Sequence, residues 1–167
     1  MVQLASDSSA EGFQSHVAQL RQRGLVPGDA KATTTADACG LFGSQINTYV
    51  LYSGPFANPA GGCPDRLSGP YDALIRTTSA GFFSCVCSTN AQSIPPEGPG
   101  QSGQWVGELQ RMLSHVGYSV GALDTASWGA FTAGTQDAVR RFQTDAHLPA
   151  SGQVDGPTWS KLQAAGC

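Results

Sequence analysis

Along this chain the spacing of apolar residues switches several times between the period of a strand and that of a helix. Val2 and Leu4 share one side of an alternation, with Gln3 and Ala5 on the other, which predicts a short opening strand. From about Ser9 the spacing lengthens, and Phe13, Val17 and Leu20 predict a helix that Gly24 ends. The threonine-rich stretch 31–38 has strand composition, and residues 48–56 (TYVLYSGPF) predict a clearer strand closed by Gly54-Pro55. Leu67, Tyr71, Leu74 and Ile75 suggest a helix over 64–77, and residues 81–88 (GFFSCVCS) a final strand. The expected order is strand, helix, strand, strand, helix, strand.

In the last third the helical period returns and stays. Val106, Leu109, Met112, Leu113 and Val116 lie on one helix face, and Gly117 stops it. A second helix is expected with Thr135 as N-cap, Asp137 in its first turn, and Ala138, Val139 and Phe142 facing inward. A third begins after Asp155, tolerates Pro157 in its first turn, and packs Trp159 and Leu162. A small pattern is written twice here. Leu109-Gln110 and Phe142-Gln143 are each followed by a turn and then by Gly-X-apolar-Asp, at 121–124 and 152–155. Such units bury their apolar faces against each other. Residues 91–104 (AQSIPPEGPGQSGQ) predict a Pro/Gly-rich linker. The expected domains are therefore 1–90 and 105–167, joined by 91–104.

The rear words resemble the three-helix peptidoglycan-binding domain appended to many cell-wall hydrolases. They are Leu109-Gln110, Gly117-Tyr118, Leu123-Asp124, Gly129-Ala130-Phe131, Thr135, Phe142-Gln143, Leu148-Pro149, Ser151-Gly152, Val154-Asp155 and Thr158-Trp159. The resemblance implies a small all-α module whose ligand, a glycan strand or stem peptide of peptidoglycan, lies beside Asp124, Gly129, Phe131 and Thr135. Residues 125–128 lengthen the family's loop and place Trp128 either over that groove or back on the core. The front words, Val2 to Ser6, Leu20 to Gly24, Tyr49 to Phe56 and Gly81-Phe82, resemble the sporulation-related repeat (SPOR) domain. That implies an α+β, ferredoxin-like βαββαβ fold that meets sugar chains on its open sheet face, with Gln3, Val50 and Tyr52 on that face.

Composition narrows the functions without choosing among them. The 167 residues carry a net charge of −3 with no basic stripe, which disfavours nucleic acid and anionic membranes as partners. No apolar run approaches a membrane span. Met1 stands against the first strand and leaves no room for a leader, so a processed or excised piece is expected, with export by another route as the alternative. Cys39, Cys63, Cys85 and Cys87 predict two disulfides in the front module and an oxidising, extracellular or cell-wall destination. Cys85 and Cys87 share a face if 81–88 is a strand, so each is expected to pair with 39 or 63. A four-thiolate zinc site fits the spacing less well, and no metal or other cofactor is expected. Cys167 is left over, as a free thiol, a mixed disulfide or a link to another subunit. His16, His115 and His147 lack the motifs of nucleophilic catalysis, and no paired carboxylates mark a glycosidase cleft. The expected protein is a binder, not an enzyme. The alternative is a structural subunit of an envelope or secreted assembly.

Overall fold

The computed structural model describes residues 1–37, 48–77, 82–122 and 127–167. The chain is mixed α/β at the front and helical at the back, in two units, Met1–Phe83 and Ser84–Cys167.

In the front unit β1 (Val2–Asp7), β2 (Lys31–Thr34), β3 (Tyr49–Ser53) and β4 (Leu74–Ile75) form one sheet in the order β2-β3-β1-β4, every neighbouring pair antiparallel. Helix α1 (Ala10–Gln22) covers one face through Phe13, Val17 and Leu20. The Ser9 side chain caps it by accepting from the Gly12 N–H at 3.1 Å. A register shift between Gln3 and Ala5 puts an extra residue, Leu4, into β1. Val2, Leu4 and Ala5 therefore all reach the core, where strict alternation would send Ala5 to the far face.

Three front expectations change. Helix α2 is Cys63–Ser68 and does not extend to 77. Pro70 lacks an N–H and disfavours helical backbone at Gly69, so the helix stops there. Leu74 and Ile75, expected on the helix face, instead pair with Gln3 and Val2 as the sheet edge. Residues 82–88 are not a strand: Cys85–Ser88 is a 3₁₀ turn belonging to the rear unit, and Gly81 lies outside the described residues.

The rear unit packs α3 (Gln104–His115), α4 (Ala133–Asp145) and α5 (Gly156–Gly166) around Leu109, Leu113, Val139, Phe142, Trp159 and Leu162. Residues 91–104 are no free linker. With the 3₁₀ turn before them they form a strap that buries Val86, Ala91 and Ile94 in the helical core. Ser84 Oγ and the Cys85 N–H donate to the buried Glu108 on α3, at 2.5 and 2.8 Å. Gln163 on α5 donates to the carbonyls of Val86 and Thr89, both at 2.6 Å. The Trp159 indole N–H donates to Pro95 O at 3.1 Å. A proline-rich segment suits this place, because each proline removes one donor that burial would leave unpaired.

The strap also changes the cysteine pairing. Cys87 is bonded to Cys167, with Cα atoms 5.5 Å apart, and not to Cys39 or Cys63. In a 3₁₀ turn residues two apart point in different directions, so the shared face expected of Cys85 and Cys87 does not exist. Cys63 and Cys85 are each engaged in a disulfide, and sulfurs so engaged are not thiolate ligands for zinc. Cys39 lies outside the described residues. Cys167, held within its own chain, is no link to another subunit.

Candidate functional site

Two glutamine-centred knots build the rear unit. In the first, Gln110 Oε1 accepts from the Gly129 N–H at 2.9 Å, and Nε2 donates to the carbonyls of Ala130 (2.8 Å) and Ser127 (3.1 Å) and to Thr135 Oγ1 (3.2 Å). In the second, Gln143 Oε1 accepts from the Gly152 N–H at 2.9 Å. Its Nε2 donates to Gln153 O (2.7 Å), Ser151 Oγ (3.2 Å) and Thr158 Oγ1 (3.2 Å). Each knot ends in a cap on the next helix. Thr132 Oγ1 accepts from the Thr135 N–H, and Asp155 Oδ1 accepts from the Thr158 N–H. The Thr158 hydroxyl also donates to Asp155 Oδ1, at 2.6 Å, and that bond together with the one from the N–H holds the Asp155 carboxyl below its usual range.

Both knots turn at a glycine in the left-handed region, Gly129 at φ 73° and Gly152 at φ 71°. At Gly152 a Cβ would also lie 2.8 Å from Arg140 Nε, so only glycine fits without movement. In hydrogen bonding 129–132 is thus a counterpart of 152–155, whereas Leu123 and Asp124 of the look-alike at 121–124 lie outside the described residues. The N-cap of α4 is Thr132 rather than Thr135, which sits inside the first knot.

Of the residues expected to touch ligand here, Gly129, Phe131 and Thr135 are buried. Phe131, 7 % exposed, belongs to the core, so these three shape the loop and offer little surface. Asp124 lies outside the described residues. Trp128 alone presents a half-buried aromatic face, and the Arg111 guanidinium sits 4.9 Å from its ring centroid. Arg111 belongs to α3, one residue after the knot glutamine, so the knot that fixes the loop also sets Trp128 beside a cation.

The geometry is a doubled glutamine clamp, helix to glycine turn to capped helix. It coincides with a family match. Residues 102–162 match the family described as "Putative peptidoglycan binding domain". The peptidoglycan-binding domain so matched spans α3, α4 and most of α5, with both knots inside it. No curated protein matches the chain.

In the front unit, Gln3 and Tyr52 are direct cross-strand partners, and Val50 follows on the same face. The open surface expected of them is not found. Val50 is fully buried and Gln3 is 8 % exposed, its Oε1 accepting from Arg76 Nε at 2.9 Å. Tyr52 keeps a half-buried ring. Gln3 and Arg76 line a polar cavity of about 290 Å³ with Ser6 and Asp72. Sequence reading missed this cavity, since only the edge pairing of β4 brings Arg76 to Gln3. It missed Glu97 as well, which pairs backbone to backbone with Val154. No helix among the described residues is long and apolar enough to cross a membrane.

Proposed function

We propose that this protein is a cell-wall binder whose rear unit holds peptidoglycan at the loop carrying Trp128, without catalysing a reaction. The observation that carries this reading is the half-buried Trp128 ring, set by the Gln110 knot beside Arg111 within the matched domain. An aromatic face stacks on the apolar face of a sugar ring, and the adjacent guanidinium suits hydroxyl or carboxylate groups of the same ligand. Disulfides and a peptidoglycan-binding domain together favour an extracellular or cell-wall location.

The front unit adds support for a second surface. Its strand order and wholly antiparallel pairing are those of a ferredoxin-like sheet, in keeping with the sporulation-related resemblance. In this reading Tyr52 and the polar cavity beside Gln3 replace the flat face expected from the resemblance. The competing reading, an assembly subunit cross-linked through Cys167, loses its main feature to the Cys87–Cys167 bond.

The test is a titration of the full chain with soluble muropeptides, followed by indole emission. Wild type should shift on binding. Trp128→Ala should lose that shift and bind about tenfold more weakly, on the order of 1.4 kcal/mol, while its far-ultraviolet circular dichroism is unchanged. Equal affinity in the two proteins would remove Trp128 from the site.

A further inference from the structure

We infer that the cleft between the strap and the second knot is a subsite for a primary ammonium group borne by the cell-wall peptide. The inference rests on reading the rear unit as a peptidoglycan binder, and it adds the chemistry of the group that is recognised. The cleft, about 480 Å³, is lined by Glu97, Gly98 and Gln101 of the strap and by Ser151, Gln153 and Asp155 of the knot loop.

Glu97 is 8 % exposed, and its carboxylate has no hydrogen-bond or ionic partner among the described residues. Its backbone is spent on Val154, with N–H to O and O from N–H at 2.9 and 2.7 Å. Partial desolvation makes its charged form costly, and a cation in the cleft would offset that cost. Gln101 donates its amide N–H to Pro96 O at 3.4 Å, which leaves its amide oxygen as an acceptor. Asp155 adds a second carboxylate, with Oδ1 taken by the Thr158 N–H and hydroxyl.

The lining carries two acids and no Lys, Arg or His. Arg140 of α4 lies behind Gly152 and is paired with Asp137 at 3.7 Å. One unpartnered acid, with a second carboxylate and an amide oxygen beside it and no cation in the lining, suits a group with three N–H donors and a positive charge. Two carboxylates are fewer oxygens than a calcium site uses, so an organic cation fits better.

Burial pushes the Glu97 carboxyl up to about 7. Asp155 is held low and stays ionised near neutrality. An amine with an ordinary pKa near 10 stays charged there as well. The ionic pair therefore forms as pH rises through about 7 and is lost as pH falls through it.

The experiment is co-sedimentation of the full chain with purified sacculi at about pH 6 and about pH 8, using untreated sacculi and sacculi whose free amines are acetylated. Wild type should bind untreated sacculi about tenfold more tightly at the higher pH, the change in the ionised fraction of a group titrating near 7. Acetylation and Glu97→Gln should each abolish that gain and leave the weaker level at both pH values. Gln101→Leu should weaken binding and keep the pH dependence, which covers the case of a misfolded Glu97 variant. Retention that ignores pH, acetylation and both substitutions overturns the inference and leaves peptidoglycan binding standing. No retention under any condition overturns peptidoglycan binding and the subsite with it.

Discussion

Gln143→Leu is expected to destabilise the rear unit by about 2–3 kcal/mol, although leucine nearly matches glutamine in volume. Gln143 is almost wholly buried, and its loss strands the Gly152 N–H and leaves the Gln153 carbonyl only a 3.3 Å bond from Ser151. The Thr158 hydroxyl loses one bond and keeps the one it donates to Asp155. Each buried polar group left without a partner costs about 1–3 kcal/mol, and the added apolar contact recovers part of that. Gln143→Glu gives a sharper comparison. It keeps the acceptor for Gly152 but puts a carboxylate oxygen against the Gln153 carbonyl, so it too should be severely destabilised. Gln110→Leu should behave like Gln143→Leu, since the first knot has the same four-bond pattern. Urea denaturation followed by tryptophan emission measures all three, since Trp105, Trp128 and Trp159 all belong to the rear unit. A loss below about 1 kcal/mol for Gln143→Leu would mean that the knot is decorative.

Removing the disulfide between Cys87 and Cys167 should cost about as much, by a different route. The bond closes a loop with a sequence separation of 80 residues, and tying such a loop restricts the unfolded chain by up to about 4.5 kcal/mol, of which such bonds typically deliver about 2–4. The paired variant Cys87→Ser, Cys167→Ser keeps the strap's bonds from Gln163 to Val86 and Thr89, so the folded structure should persist at low temperature. The end of α5 should then fray first, as the last turn of a helix does without a tether. Hydrogen exchange would show this as early loss of protection at residues 163–166. Unchanged stability in the variant would mean that packing of the strap alone holds α5.

What the sequence disclosed follows from the range of the interactions involved. Apolar periodicity gave α1, α3, α4 and α5, because each buries one continuous stripe. The stripe even included Gln110 and Gln143 beside Leu109 and Phe142, and the repeated apolar-Gln pair was the visible trace of the knots. Their partners were not visible. A Gly-X-apolar-Asp string at 121–124 imitates 152–155 in letters, whereas the turn at 129–132 matches it in hydrogen bonds and ends in threonine instead of aspartate. The strap was misread for a similar reason. Prolines and glycines signal absent regular structure, and they say nothing about whether the segment lies on a core. Val86, Ala91 and Ile94 were its apolar anchors, spaced too irregularly for a periodic reading. At the front, Leu74 and Ile75 fit a helical stripe equally well, and the breaking power of Gly69-Pro70 decided for a strand. The Leu4 bulge arises from strand pairing, and neither it nor the burial of Val50 is encoded in a local pattern.

The central claim is that this chain binds peptidoglycan through its rear unit, and co-sedimentation of the intact protein with purified sacculi tests it most directly. Saturable retention at about pH 8 is predicted, reduced about tenfold by Trp128→Ala and to a smaller extent by Tyr52→Ala in the front unit. Full recovery of the wild-type protein in the supernatant, across sacculus concentrations that retain a known cell-wall binder, would contradict the account.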